Sequence, residues 1–263
     1  MSNDTRVWST TLRGLVGIHE ELLRAGVPST SARHLQKILQ KNGVYPARDL
    51  SNLCTSDPPD AFFTYHSADN FVDIEGIASQ ACDFAARLLQ SRRPEIEARD
   101  LNAFASDGIR LWIDFVFIDQ SARDIRSELD VLPHLLETVK AHFVLGQVPL
   151  TRAWCCYEIA LINQHCATSD SPLMRSFIAP TRNLYFGWDS VECTEPEDKA
   201  FIAERIATSF PLAFDGFRRV MDQASATAVL NTTESSTFYT PAALDSLGAA
   251  AEEWYARYIE KLG

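Results

Sequence analysis

The residue with the clearest chemical potential in this 263-residue chain is a glutamate in apolar surroundings. The run Arg152-Ala-Trp-Cys-Cys-Tyr-Glu-Ile-Ala-Leu-Ile162 reads as the opening of a buried helix. Ala153, Cys156 and Ala160 fall one turn apart, with Trp154, Glu158, Leu161 and Ile162 on an adjacent face. A carboxylate in such a run is paired, protonated, or kept for a function that justifies its burial. The structural alternative is an ion pair between Glu158 and Arg152 at the helix rim. Two further acids and a histidine supply context. Asp60-Ala-Phe-Phe-Thr-Tyr65 is a short aromatic and β-branched run, followed at once by the polar His66-Ser67-Ala68-Asp69-Asn70. Ile109-Arg-Leu-Trp-Ile-Asp114 is a second such run ending on an acid.

The elements that position these residues follow from periodicity. A strand, a polar loop and a helix over residues 71–90 make the first βα unit of an open parallel sheet, whose ligand sites lie at strand C-termini. His66 and Asp114 therefore sit where a site is expected. Residues 142–146 give a third strand, 176–179 a fourth, and 184–186 are a candidate fifth. Residues 91–107 read as exposed helix or loop. Residues 125–140 read as a helix that Pro133 kinks or breaks. Helices are expected over 196–210 and 214–230, and Pro241 is placed as the first residue of a last amphipathic helix. Ahead of the sheet, apolar spacing predicts a helix over 5–24 and a second one capped by Ser29 or Thr30 and stopped at Asn42-Gly43. Residues 46–59 read as a connecting segment. The expected organisation is a helical extension over 1–58, the sheet domain over 59–230, and a linker with a docked helix over 231–263.

Composition narrows the function. With 46% hydrophobic and 22% charged residues the chain is ordinary globular protein. A net charge of −11 without a basic stripe argues against nucleic acid or an anionic membrane as partner. The six cysteines are irregularly spaced and read as reduced thiols of a cytoplasmic protein, and no apolar run approaches the about 20 residues that span a bilayer. Phosphate-cradling glycine loops, a His-Glu-x-x-His zinc pair and a Gly-x-Ser-x-Gly elbow are missing from the sequence. No metal is expected, and Cys155-Cys156 reads as packing.

Taken in order, Asp60 to Asp69, Leu111-Trp-Ile-Asp114, the strand at Phe143-Val-Leu and Arg152-Ala-Trp-Cys-Cys-Tyr-Glu158 resemble a TIR (Toll/interleukin-1 receptor) domain over about residues 60–230. The likeness lies in the end of the first strand, the Trp-Ile-Asp end of the second, and the Trp-x-x-x-Glu helix. It implies an α/β fold with a flavodoxin-like open parallel sheet of about five strands flanked by helices. It further implies, as in bacterial and plant members, cleavage of NAD at the nicotinamide–ribose bond by Glu158, an NAD nucleosidase or cyclase activity with NAD as substrate and no cofactor. Trp154 would wall the pocket or pack beneath it. Phe62, Tyr65, His66 and Ser67 would meet the substrate at the first strand's end, with Asp114 beside them. Such enzymes deplete NAD or make an ADP-ribose-derived messenger for an effector protein in immune, anti-phage signalling. The alternatives are a TIR-like interaction module without activity and a nucleoside deoxyribosyltransferase-like enzyme.

The chain departs from the family in the loop at residues 115–124, which lacks the glycine that members commonly use in self-association. Phe115, Phe117 and Ile118 there, mixed with polar residues, are expected to form a homo-oligomer contact that lids the site; the alternative is that they tuck into this subunit's own core.

Overall fold

The computed structural model describes residues 7–27, 31–65, 70–119, 129–145, 149–168, 174–177, 185–230 and 241–263. The chain is α/β, with an open sheet consistent with a flavodoxin-like arrangement. At its centre lies β3 (Ala61–Tyr65), buried along its whole length. It runs parallel to β4 (Leu111–Ile113) on one side and β5 (Ala141–Leu145) on the other, and β6 (Met174–Phe177) extends the parallel sheet beyond β5. Two short strands, β1 (Ser9–Thr10) and β2 (Cys54–Thr55), close the β4 edge antiparallel, giving the order β2-β1-β4-β3-β5-β6 among the described residues. Phe62 stands level with Trp112 on one side and His142 on the other. From β3 the chain moves outward to β4 and then crosses back over β3 to β5. The strand order thus reverses between β3 and β5, and the crevice at their C-terminal ends is where open α/β sheets bind ligands.

Local chemistry explains the main helices. Thr11 caps α1 (Leu12–Arg24) by accepting from the Gly14 amide, and Ser31 caps α2 (Ala32–Asn42), which Gly43 ends in the left-handed conformation at φ 65°. After the turn α3 (Pro46–Asp49), the long α4 (Phe71–Arg92) is capped by Asn70 accepting from the Asp73 amide at 2.9 Å. Then come α5 (Ala98–Asp107), the single turn α6 (Asp114–Phe117), α7 (Leu132–Thr138), α8 (Ala153–Thr168), α9 (Pro196–Ser209), α10 (Ala213–Leu230) and α11 (Pro241–Leu262). One apolar cluster joins the sheet to α1, α2, α4, α5 and α11, with Leu15, Ile18, Leu89, Phe104 and Trp254 all buried. A second joins α8 to α9 and α10 through Cys156, Ile159, Ile202, Ile206, Phe217 and Met221. The two terminal flanks therefore share the core of the sheet. At the N-terminal end of β3, Asp60 accepts from both Arg110 and Arg257, which ties α11 to the sheet edge.

Several expectations change. Helix one starts at Leu12, because Ser9 and Thr10 join the sheet and the Thr10 hydroxyl donates to Leu53 O at 2.7 Å. Gly14 permits that approach: a Cβ there would stand 2.2 Å from Thr10 Oγ1 and 2.4 Å from Leu53 O. The extension over 1–58 is thus not purely helical, and the segment 46–59 holds α3 and β2. Residues 98–107 form a helix whose charged outer face hides an inner face of Leu101, Phe104 and Ala105. Pro133 sits in the first turn of α7, where its missing amide costs no helical bond, so it starts a helix instead of kinking one. Tyr185 and Phe186 form no strand, and Phe186 is exposed; Leu184 lies outside the described residues. Phe115, Val116, Phe117 and Ile118 are buried in this chain's own core, held by α6 and by Tyr45, whose hydroxyl donates to Phe117 O at 2.8 Å. The apolar basis for an oligomer contact there is removed; residues 120–124 lie outside the described residues.

Candidate active site at the C-terminal end of the first parallel strand

Glu158 projects from α8 toward β3 and is 8% exposed. The Thr64 hydroxyl donates to its Oε2 at 2.8 Å, and His142 Nε2 of β5 lies 3.0 Å from the same hydroxyl oxygen. Strand alternation puts Phe62 and Thr64 on the face that His142 shares across the register, so two adjacent parallel strands line up behind the carboxyl that α8 supplies. Burial, and then the charge of Asp114, push Glu158 up to about 8, with the Thr64 hydrogen bond pulling the other way. The ion pair with Arg152 does not form. Arg152 immediately precedes α8 but turns to Glu192 at 3.5 Å and donates to Thr194 Oγ1 at 2.9 Å. Glu158 is thus a buried carboxyl that no Arg or Lys among the described residues neutralises.

Asp114 follows β4 directly and begins α6. It is half-buried and accepts from the Tyr65 hydroxyl and from the Phe115 amide, while Gln36 of α2 donates to Tyr65 Oη at 3.2 Å. Burial raises its carboxyl, against the pull of these donors. Tyr65, pushed well above its ordinary value by burial and then by Asp114, stays a neutral donor. Cys155 lies beside them: its thiol donates to Tyr65 O at 3.2 Å, and burial pushes it well up, so it is no thiolate nucleophile. Cys156 donates to Leu150 O at 3.1 Å, a packing role.

The structure brings together Glu158, Tyr65 and Asp114 of the candidate residues. Phe62 is not among them. At 1% exposure it lies in the sheet's core, stacked on Trp112 at 4.8 Å and tilted against His142 at 5.8 Å, so it supports the site from within instead of meeting a ligand. The Trp154 ring lies 6.2 Å from Phe201 of α9, half-buried over the second apolar cluster. His66 and Ser67 lie outside the described residues. Sequence reasoning missed Thr64, His142 and Gln36 as site members. A threonine in an otherwise aromatic strand was the one available signal for Thr64; the other two become neighbours only through tertiary structure.

Among the described residues no three His, Cys, Asp or Glu side chains converge as a metal site requires, and no helix is long and apolar enough to cross a membrane. A groove of about 260 Å³ between α4 and α5, lined by Asp83, Arg87, Gln90 and Asn102, shares no residue with the Glu158 cluster. Comparison with protein-family models, curated proteins and solved structures finds no match.

Proposed function

We propose that the chain is a TIR-like enzyme that cleaves the nicotinamide–ribose bond of NAD, with Glu158 as its catalytic carboxylate. The observation that supports this best is the position of Glu158: a buried, uncompensated carboxyl at the reversal point of the strand order, beside Thr64, Tyr65 and Asp114. Departure of nicotinamide leaves an oxocarbenium-like ribose, and a fixed carboxylate beside it stabilises the developing positive charge. The nicotinamide ring of NAD is itself cationic. Its arrival next to Glu158 favours loss of the carboxyl proton, so substrate binding prepares the charge that the reaction uses. Tyr65 and Asp114, bonded to each other, offer polar groups to the ribose hydroxyls. Capture of the ribose by water gives ADP-ribose, and capture by a second nucleophile gives a cyclised or conjugated product. Either outcome suits NAD depletion or a messenger for an effector protein in immune-type signalling.

One observation favours a second reading, a non-catalytic interaction module. A Glu158 that keeps its proton and hydrogen-bonds Thr64 is satisfied with no ligand present. Incubating the purified protein with NAD and assaying free nicotinamide separates the two. Steady release supports the enzyme, and no release across a wide range of protein concentration and pH sinks it.

A further inference from the structure

The mechanism above uses Glu158 but gives no task to the imidazole behind it. His142 is 1% exposed and Thr64 is fully buried, so in the line His142 Nε2, Thr64 Oγ1, Glu158 Oε2, with spacings of 3.0 and 2.8 Å, the inner hydrogen bond is shielded from water and only the Glu158 end, 8% exposed, approaches the surface. A threonine hydroxyl holds one proton and accepts through its lone pairs, which fixes how the line can be filled. With Glu158 ionised, Thr64 donates to Oε2 and must accept from His142, so the imidazole carries its proton on Nε2. With Glu158 protonated, the carboxyl can donate to Oγ1, Thr64 then donates to Nε2, and the imidazole carries its proton on Nδ1. The two fillings interconvert in balance. One proton taken up from solvent arrives at Nδ1, the Nε2 proton passes to Oγ1, and the hydroxyl's own proton passes to Oε2; raising the pH returns that proton to solvent by the reverse path.

We infer that His142 is a positioning residue for Glu158: acting through the Thr64 hydroxyl, it orients the carboxyl and couples its ionisation to the imidazole tautomer. As a statement about the reaction, this rests on Glu158 being the reacting carboxyl. Among the described residues, the groups facing this line include Asp114 at the end of β4, Tyr65 on β3, Cys155 on α8 and Arg152 just before that helix. Arg175 stands opposite His142 in the β5–β6 register, and His66, next to Tyr65, lies outside the described residues. Tyr65 and Cys155, both held well above their ordinary ranges, stay neutral, so neither of the two supplies or takes the proton in question; Arg152 is engaged by Glu192.

The test is a pH titration of the full chain by NMR, with ¹⁵N-labelled histidine and ¹³C-labelled glutamate carboxyls, assigned through Glu158→Gln and His142→Gln. We expect the His142 nitrogens to change tautomer at the Glu158 midpoint, from Nε2–H above it to Nδ1–H below it, and to lose that step in Glu158→Gln. Thr64→Val should raise the Glu158 midpoint by about one pH unit, the size of one hydrogen bond to a charged group, and uncouple the signals; Thr64→Ser should restore both. A His142 that keeps one tautomer through the Glu158 midpoint, or a midpoint unmoved in a folded Thr64→Val, overturns the inference. None of these readouts uses NAD. Coupled signals without nicotinamide release would keep the pairing and remove the hydrolase reading, whereas release with uncoupled signals would do the reverse.

Discussion

The central strand β3 has a buried carboxyl at each end, and the two are treated in opposite ways. At its N-terminal end Asp60, 4% exposed, receives Arg110 through Nε and Nη2 and through its backbone amide, and both terminal nitrogens of Arg257. Both oxygens are saturated by cationic donors, as a buried charge requires if it is to remain a charge. At the C-terminal end Glu158, 8% exposed, meets a hydroxyl and a second carboxylate, and it drifts up to about 8. The first arrangement locks α11 to the sheet. The second leaves a carboxyl whose proton is held loosely enough to be exchanged near neutral pH, which is what acid–base and charge-stabilising roles need. Two similarly buried acids thus differ in their partners: one is a charge held by two cations, the other a carboxyl left without one.

A carboxylate placed where neither solution exists sets the upper end of the scale. Phe117 is fully buried, so Phe117→Asp should fail to fold at neutral pH; a folded variant seen by circular dichroism would mean that the α6 turn opens to solvent. Next comes Asp60→Ala, which leaves two guanidinium groups facing each other and should lower stability by about 3–5 kcal/mol in urea unfolding. A loss near zero would show the triad to be surface-like. Glu158→Gln should behave in the opposite sense. The folded carboxyl keeps its proton up to about 8, whereas the unfolded one loses it in the ordinary carboxylate range. Between those values the folded chain binds the extra proton, so wild-type stability falls as pH rises through this window and levels off above it. The glutamine variant lacks this penalty and should gain on the wild type by up to a few kcal/mol at pH 9, with little difference at pH 4. A difference independent of pH would place Glu158 in contact with solvent or with a cation. Trp154→Ala is the smallest: half-buried against Phe201, it should lower stability by about 1–2 kcal/mol, less than a fully buried tryptophan would.

Much of this contrast was written in local sequence, and part was not. The runs 60–65, 109–114 and 142–146 announced themselves as strands because they are mostly apolar, β-branched or aromatic and too short for helices, and strands form at 61–65, 111–113 and 141–145. The apolar surroundings of Glu158 were equally local. The two-residue strands β1 and β2 carry no pattern of their own; they exist because Thr10 bonds Leu53 across 43 positions. The loop residues Phe115, Phe117 and Ile118 looked like an interface, since sequence shows that they are apolar but not what covers them. Arg152 lies nearer to Glu158 in sequence than Thr64 does, yet Thr64, 94 positions away, is its partner. The N-terminal end of β3 was hidden for the same reason: Arg257 reaches Asp60 from 197 positions away. Register and crossover set these pairings, and neither is a property of a short window.

The most direct test of Glu158 as the reactive carboxyl is kcat/KM for nicotinamide release from NAD, measured against pH for the wild type and for Glu158→Gln. The Glu158 proton has to be lost between the free enzyme and the transition state in which that carboxyl stabilises the ribose cation, and kcat/KM reports this as the ionisation of the free enzyme. Release by the wild type should therefore rise with pH, reach half its limit at about 8 and level off above it, while the folded glutamine variant should release nothing above background. Equal turnover by Glu158→Gln, or a wild-type profile flat from pH 6 to 9, would contradict the account.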